Sequence, residues 1–246
     1  MPIAPSIDAN TPQAATNQVP AKRERRKEAR PGELLDAAMD LFVEKGFAAT
    51  RAEEVAARAG VSKGTLFLYF QSKEELFKAV VRQNISGAFP VWNAEFDAFS
   101  GSSAQMLHYA MSQWWERLGA TKASGITKLV MSEARNFPEI AAFYQAEVMA
   151  PGRALIKRIF QRGIDSGEFR PMNTDYAIYS VVAPMIFLVM WKHSMAPCLD
   201  PNLGLVPADY IAAQVDVIVR GVLTEAAPTM APAAINVTTV KGKKST

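Results

Sequence analysis

The stretch Thr50–Leu76, TRAEEVAARAGVSKGTLFLYFQSKEEL, decides the fold. Thr50-x-x-Glu53 and Ser72-x-x-Glu75 both fit a capping box, in which a hydroxyl and a carboxylate satisfy orphan N–H groups at a helix start. Gly60 stands where a helix has to stop, since glycine enters the left-handed conformation without a Cβ clash. Ser62 can then cap a second, very short helix. A helix, a glycine turn and a short second helix form a helix-turn-helix, the unit that lays its second helix in a DNA major groove.

The face arithmetic agrees. Ala52, Val55, Ala56 and Ala59 follow the i, i+3, i+4, i+7 spacing of one buried stripe. Leu66 and Phe70 are four apart and share a face of the short helix. Burying that face leaves Thr65, Phe67, Leu68 and Tyr69 pointing outward or sideways, between Lys63 and Lys73. Aromatics and threonine between two lysines suit a surface that meets a polyanion better than one that meets water.

Upstream, Pro31 suits the first position of a helix running to Lys45. Leu34, Ala38, Leu41 and Phe42 form its inward stripe, Gly46 ends it, and Phe47 plugs a three-helix core. Downstream, a fourth helix starts after Ser72, with Leu76, Phe77, Val80, Val81 and Ile85 at helical spacing, and Pro90 ends or kinks it. No linker of Gly, Ser or Pro separates this helix from the second half of the chain, so it can transmit a tilt.

Residues from about Pro31 to Val81, with the matching pieces LLDAAMDLFVEKGFAATRAEEVAARAGVSKGTLFLYFQSKEELFKAV, resemble the DNA-binding domain of the TetR/AcrR family of bacterial transcriptional regulators. The resemblance covers that whole domain but only about a fifth of the chain. It departs at Phe67, where the family usually carries tyrosine, so a phenolic donor to phosphate is missing. It implies an all-α protein: an N-terminal three-helix helix-turn-helix DNA-binding domain, then a larger helical ligand-binding and dimerisation domain.

Composition bounds the rest. The chain has 246 residues, 49% of them hydrophobic, and a net charge of +3. The charge is uneven: residues 22–82 hold 13 Lys/Arg against 10 Asp/Glu, and residues 83–240 hold 11 against 13. The N-terminal part is therefore the side that faces a polyanion. Cys198 is the only cysteine, which excludes an intramolecular disulfide or cysteine metal cluster and fits a reducing cytoplasm. No signal peptide is read, and the apolar run Tyr176–Trp191, with Pro184 inside it, is short for a membrane span.

Residues 1–21 read as a disordered arm. The segment KRERRKEAR at 22–30 reads either as a solvated helix start or as a basic lead-in on phosphates, and its position favours the second. From Ser102 the texture is all helix: 102–119, 124–137, 138–167 with a kink at Pro151-Gly152, 174–193 and 207–225. The expected organisation is a disordered arm with its lead-in at 1–30, the DNA-binding domain at 31–82, a helical effector-binding and dimerisation domain at 83–226, and a disordered tail at 227–246.

Enzyme motifs are missing: no GxSxG, P-loop or HExxH string occurs, and His108 and His193 are thin material for a metal site. The reading is a regulator without catalytic residues, cofactor or metal. The second domain is rich in aromatics, which serve either as an ordinary core or as an effector pocket. The resemblance favours a pocket for a small hydrophobic effector, with His108, Trp114, Trp115, Glu133, Phe137, Tyr144, Phe187 and Trp191 as candidates and Arg135 as a possible charged anchor.

The uninterrupted apolar texture of Ile178, Val182, Met185 and Val189, with Ile211, Val215, Ile218 and Val222 on the last helix, is more than one face of a monomer requires. Similar helices form the dimer in the family, so these eight are the expected homodimer interface, in a four-helix bundle made from two copies. The plainer alternative is that they cover their own domain's core.

The candidate DNA contacts are Thr50, Arg51, Ser62, Lys63, Gly64, Thr65, Leu68, Tyr69 and Lys73, with Lys63, Thr65 and Tyr69 at or near bases and Thr50, Arg51 and Lys73 on phosphates. The function expected is a cytoplasmic, ligand-responsive repressor that binds a palindromic double-stranded operator as a homodimer. Two alternatives stay open: a regulator of the same fold controlled by a protein partner or by no small effector, and an enzyme in the helical domain.

Overall fold

A computed structural model describes residues 21–200 and 204–224, with side chains from residue 31 onward. The expected arm at 1–20 and tail at 227–246 lie outside the described residues. Two compact units divide the chain, Met1–Arg82 and Gln83–Thr246.

In the first unit, α1 spans Ala21–Ala49, α2 Ala52–Arg58, α3 Lys63–Tyr69 and α4 Lys73–Asn84. The backbone of 21–30 is helical and continues into α1, so Pro31 lies inside that helix rather than at its first position. Leu34, Ala38, Leu41 and Phe42 are each at most 2% exposed. Gly46, at φ 84°, breaks the helix and turns Phe47 inward. The rings of Phe42, Phe47 and Phe77 meet pairwise at centroid distances of 5.5 to 5.6 Å. Edge-to-face and offset contacts of this kind add to the burial of three large rings.

After α2 the chain makes a Schellman turn. The Val61 N–H donates to the Ala56 carbonyl at 2.9 Å and the Gly60 N–H to Ala57 at 3.1 Å, with Gly60 at φ 68°. The Ser62 hydroxyl accepts from the Thr65 N–H at 3.1 Å and opens α3. Ser72 does the same for α4, accepting from Glu75. The first expected capping box is shifted by one residue: Arg51 is the N-cap of α2, and its N–H meets the Glu54 carboxylate at 3.4 Å.

In the second unit, α5 is Phe89–Ala98, α6 Ser103–Trp114, α7 Ser124–Glu133, α8 Pro138–Tyr144, α9 Ala150–Asp165, α10 Thr174–Met190 and α11 Pro207–Val222. Pro90 starts α5 rather than only ending its predecessor. Three helices run into wide π-turns: Trp115–Gly119 after α6, Gln145–Met149 after α8 and Trp191–Met195 after α10. The interruption expected at Pro151-Gly152 falls instead on the π-turn just before them. Among the described residues there is no strand, only one bridging pair, Phe169 with Leu223. The fold is all-α.

Helices α6, α9, α10 and α11 enclose the main core. It joins Leu107 and Met111 to Ile159 and Phe160, with Phe169 from the α9–α10 connection. The expected dimer residues belong to the interior of this unit. Ile178, Met185, Val189, Ile211, Val215, Ile218 and Val222 are at most 9% exposed, and only Val182 is half-buried. They cover their own core and leave little surface for a second copy, most of it at Val182. The stripes facing outward are Tyr176, Tyr179, Ala183 and Phe187 on α10, and Ala213 and Val217 on α11.

Candidate nucleic-acid interface and effector region

Helix α3 is a seven-residue peg. Leu66 is 0% exposed and fixes it in the unit's core, whereas Phe67, Leu68 and Tyr69 are all exposed. Phe70 ends the helix in extended backbone and is half-buried, so Leu66 carries the anchoring largely alone. Gly64 is exposed as well, and Ser62 is committed to the cap.

Two expected contacts are corrected by their burial and bonding. Thr50 is 1% exposed, and its hydroxyl lies 2.7 Å from the Gly46 carbonyl and 3.2 Å from that of Leu41. It closes the end of α1 and has no route to a phosphate. The Lys73 ammonium donates to the carbonyls of Phe47, Ala48 and Thr50 at 2.8, 3.3 and 3.1 Å. All three donors are spent, and the charge lies 4.4 Å from the Phe47 ring centroid. Lys73 therefore clamps the α1 terminus, where the carbonyl end of a helix favours a cation.

Two further polar candidates are engaged at the surface. Lys63 pairs with Glu53, which holds that carboxyl below its usual range, and sits 5.7 Å from the Phe67 ring centroid. The Thr65 hydroxyl lies 2.9 Å from that of Ser62. Arg51 is exposed at the start of α2.

In the second unit the residues expected to line a pocket are scattered. His108 and Arg135 are exposed. Phe187 is 47% exposed, its ring 6.1 Å from Trp191 and 5.9 Å from Tyr210. Trp114, Trp115, Glu133, Phe137 and Trp191 are half-buried. Tyr144 is buried, its phenol pushed up to about 12 by burial despite a 2.8 Å hydrogen bond with Thr127.

What the structure does bring together is a polar stripe that the sequence did not single out. Ser124, Thr127 and Lys128 stand at i, i+3 and i+4 on α7, and each reaches a π-turn or the residue beside one. The Ser124 hydroxyl lies 2.8 Å from the Gly119 carbonyl and 2.9 Å from that of Thr121, and 2.8 Å from His193 Nε2. Ser124 has one proton, and the two carbonyls can only accept. Lys192 also donates to both carbonyls, so the direction of the Ser124–His193 hydrogen bond follows the imidazole tautomer.

Thr127 holds Tyr144 beside the second π-turn, and the Lys128 ammonium donates to the His193 carbonyl at 3.0 Å. Lys192 donates to the carbonyls of Gly119 at 2.9 Å and Thr121 at 2.7 Å. Burial, and then the charges of Lys192 and Lys128, push the His193 imidazole below its ordinary value. Burial alone lowers Lys192. π-Turns collect at functional sites because they leave backbone groups off the helical ladder. Serine, threonine and lysine on a helix read as ordinary surface residues, so only the fold reveals this stripe.

With the geometry in view, the likenesses are informative. The model of the bacterial regulatory protein family tetR matches residues 34–80, and that of the tetracyclin repressor-like C-terminal domain matches residues 100–197. The HTH-type transcriptional regulator RutR of Escherichia coli K12 is 28% identical over 176 residues, covering 66% of this chain and 74% of RutR. The HTH-type transcriptional repressor KstR2 of Rhodococcus jostii is 28% identical over 145 residues, 58% of this chain and 70% of KstR2. FadR of Bacillus subtilis, solved in complex with stearoyl-CoA, shares the fold at a TM-score of 0.61 and 17% identity, over 77% of this chain and 98% of FadR. The chain is a helix-turn-helix DNA-binding transcriptional regulator. It belongs to the TetR family.

Proposed function

We propose that the protein is a ligand-responsive repressor that binds a palindromic operator as a homodimer. The observation that carries the reading is the division of α3 between a fully buried Leu66 and an exposed flank of Phe67, Leu68 and Tyr69. That flank enters the major groove, Tyr69 reaches a base edge or phosphate, and Arg51 contacts the backbone. The cytoplasm is its place of action.

Pairing of heads requires a dimer, and the outward stripes of α10 and α11 support one. Tyr176 is 76% exposed and Val217 65%. The segment Thr174–Cys198 is long and apolar enough to cross a membrane, yet only 33% of its apolar window is buried within the protomer. A second copy covering the remainder accounts for that texture without a bilayer. Val217→Glu places a charge on this stripe and should convert dimer to monomer in analytical ultracentrifugation; an unchanged dimer assigns the interface elsewhere.

The effector binds in the second unit beside the α7 stripe. The likeness to FadR, which was solved with stearoyl-CoA, supports a ligand with a long apolar body and an acidic head. A ligand that prefers one arrangement of the π-turns shifts the population between DNA-binding and released forms. A second reading, control by a protein partner or by no effector, is favoured by one observation. Among the described residues no buried side-chain nitrogen or oxygen lacks a partner, so none waits for a ligand.

The test begins by selecting a duplex from a randomised pool with purified protein. Fatty acids, acyl-CoA thioesters and aromatic carboxylates are then screened by thermal shift and by release of that duplex. A compound that both raises the melting temperature and weakens DNA binding at least tenfold supports the ligand-responsive reading. Stabilisation with unchanged DNA affinity contradicts it, and a blank screen favours the second reading.

A further inference from the structure

Sequence-specific readers usually meet guanine with bidentate arginine or lysine and adenine with asparagine or glutamine. Residues 63–69, KGTLFLY, contain no Arg, Asn, Gln, Asp or Glu. The polar side chains that are present are largely committed. Lys63 pairs with Glu53, and the Thr65 hydroxyl is shared with Ser62. Gly64 has no side chain, and Leu66 is buried.

Apart from the Tyr69 hydroxyl, what α3 offers is apolar. Leu68 is 84% exposed, more than any other large apolar side chain among the described residues, and Phe67 beside it is 40% exposed. Adjacent exposed Leu68 and Phe67 gain from any occupant of this helix face that supplies apolar surface. In the major groove only one base does so: thymine, through its C5 methyl group.

We propose that α3 reads its operator through thymine methyl groups, with Leu68 as the specificity-determining residue and the Phe67 ring closing the other side of the contact. The inference rests on the reading of α3 as the element that enters the groove. It assigns each operator half-site at least one thymine under Leu68, and it leaves phosphate contacts and duplex shape to set the rest of the preference.

The test uses the full-length protein and the duplex selected from a random pool. Thymines are replaced by deoxyuridine one position at a time, which deletes a methyl group and keeps every hydrogen-bonding atom. At the position under Leu68 binding weakens about fourfold in one half-site, the worth of one buried methyl group, and about fifteenfold when both half-sites are changed. Leu68→Ala discriminates the thymine from the uracil duplex less than the wild type does, while melting at the wild-type temperature, since the residue is almost wholly exposed.

Uniform tolerance of uracil by the wild type overturns the proposal, as does a Leu68→Ala protein that keeps the full thymine preference. Those outcomes leave α3 as a DNA reader of another kind. If no duplex is enriched at all, the DNA-binding reading falls and this proposal falls with it.

Discussion

The two units end their helices differently. In the first, the signals are mostly local, the exception being Lys73, which reaches back to the carbonyls at the end of α1. Gly46 and Gly60 take positive φ, and Ser62 and Ser72 accept from an N–H three residues on. In the second, the ends are held from far along the chain. Lys192 reaches carbonyls at 119 and 121, Lys128 reaches that of His193, and the Glu168 carboxylate accepts from the Ser103 N–H at 2.7 Å and the Ala104 N–H at 2.9 Å. Burial alone would raise Glu168, but those two N–H donors together with the Ser102 and Ser103 side chains outweigh it and hold the carboxyl below its usual range. A body whose helix ends depend on a few long-range polar links can rearrange when a ligand competes for them.

The largest effect that tests this contrast is in the head. Leu66→Ala removes its fully buried peg and should cost about 2–5 kcal/mol in denaturant unfolding. A smaller loss in the whole chain, with DNA binding retained, would mean that α3 is not anchored by this residue. Next, Lys192→Met removes the donor to two carbonyls at the first π-turn. It should lower stability by about 1–2 kcal/mol and raise hydrogen exchange around 115–121, leaving exchange in the head unchanged. Exchange that rises equally in both units would break the contrast.

The smallest effect is a pH dependence. The folded state holds His193 below its unfolded value of about 6.5, so the folded chain binds fewer protons than the unfolded chain as pH falls through that value. The associated stability is complete above about pH 6.5 and is lost on acidification toward the folded value. His193→Gln should therefore flatten the melting temperature between about pH 7.5 and 5.5. An identical slope in both proteins would remove the imidazole from this role.

The same contrast explains what was legible in the sequence. The head could be read because its rules act within a few residues: Gly60 needs positive φ, Ser62 reaches Thr65, and Leu66 sits on the buried face. Thr50 misled because a threonine before a helix has two uses. Here its hydroxyl turns back to Leu41 and Gly46, and Arg51 takes the cap. Lys73 misled for a similar reason, since sequence shows a cation at a helix start but not the α1 carbonyls facing it.

In the second unit, periodicity located the apolar helices but not which side each presents. α10 is apolar on nearly every face, so Ile178 and Tyr176 look equally suited to an interface, although one is 5% exposed and the other 76%. The α7 stripe was invisible because the partners that join it to other helices, Tyr144 and His193, lie 17 to 69 residues away.

The measurement that bears most directly on the central claim is a fluorescence-anisotropy titration of the selected duplex at one fixed salt concentration. Full-length protein and Tyr69→Ala, matched in melting temperature, are compared on it. The account predicts an inverted repeat, two protomers per duplex, and a loss of roughly tenfold or more in affinity for Tyr69→Ala. Equal affinity of the two proteins, or wild-type binding with no sequence preference, would contradict it.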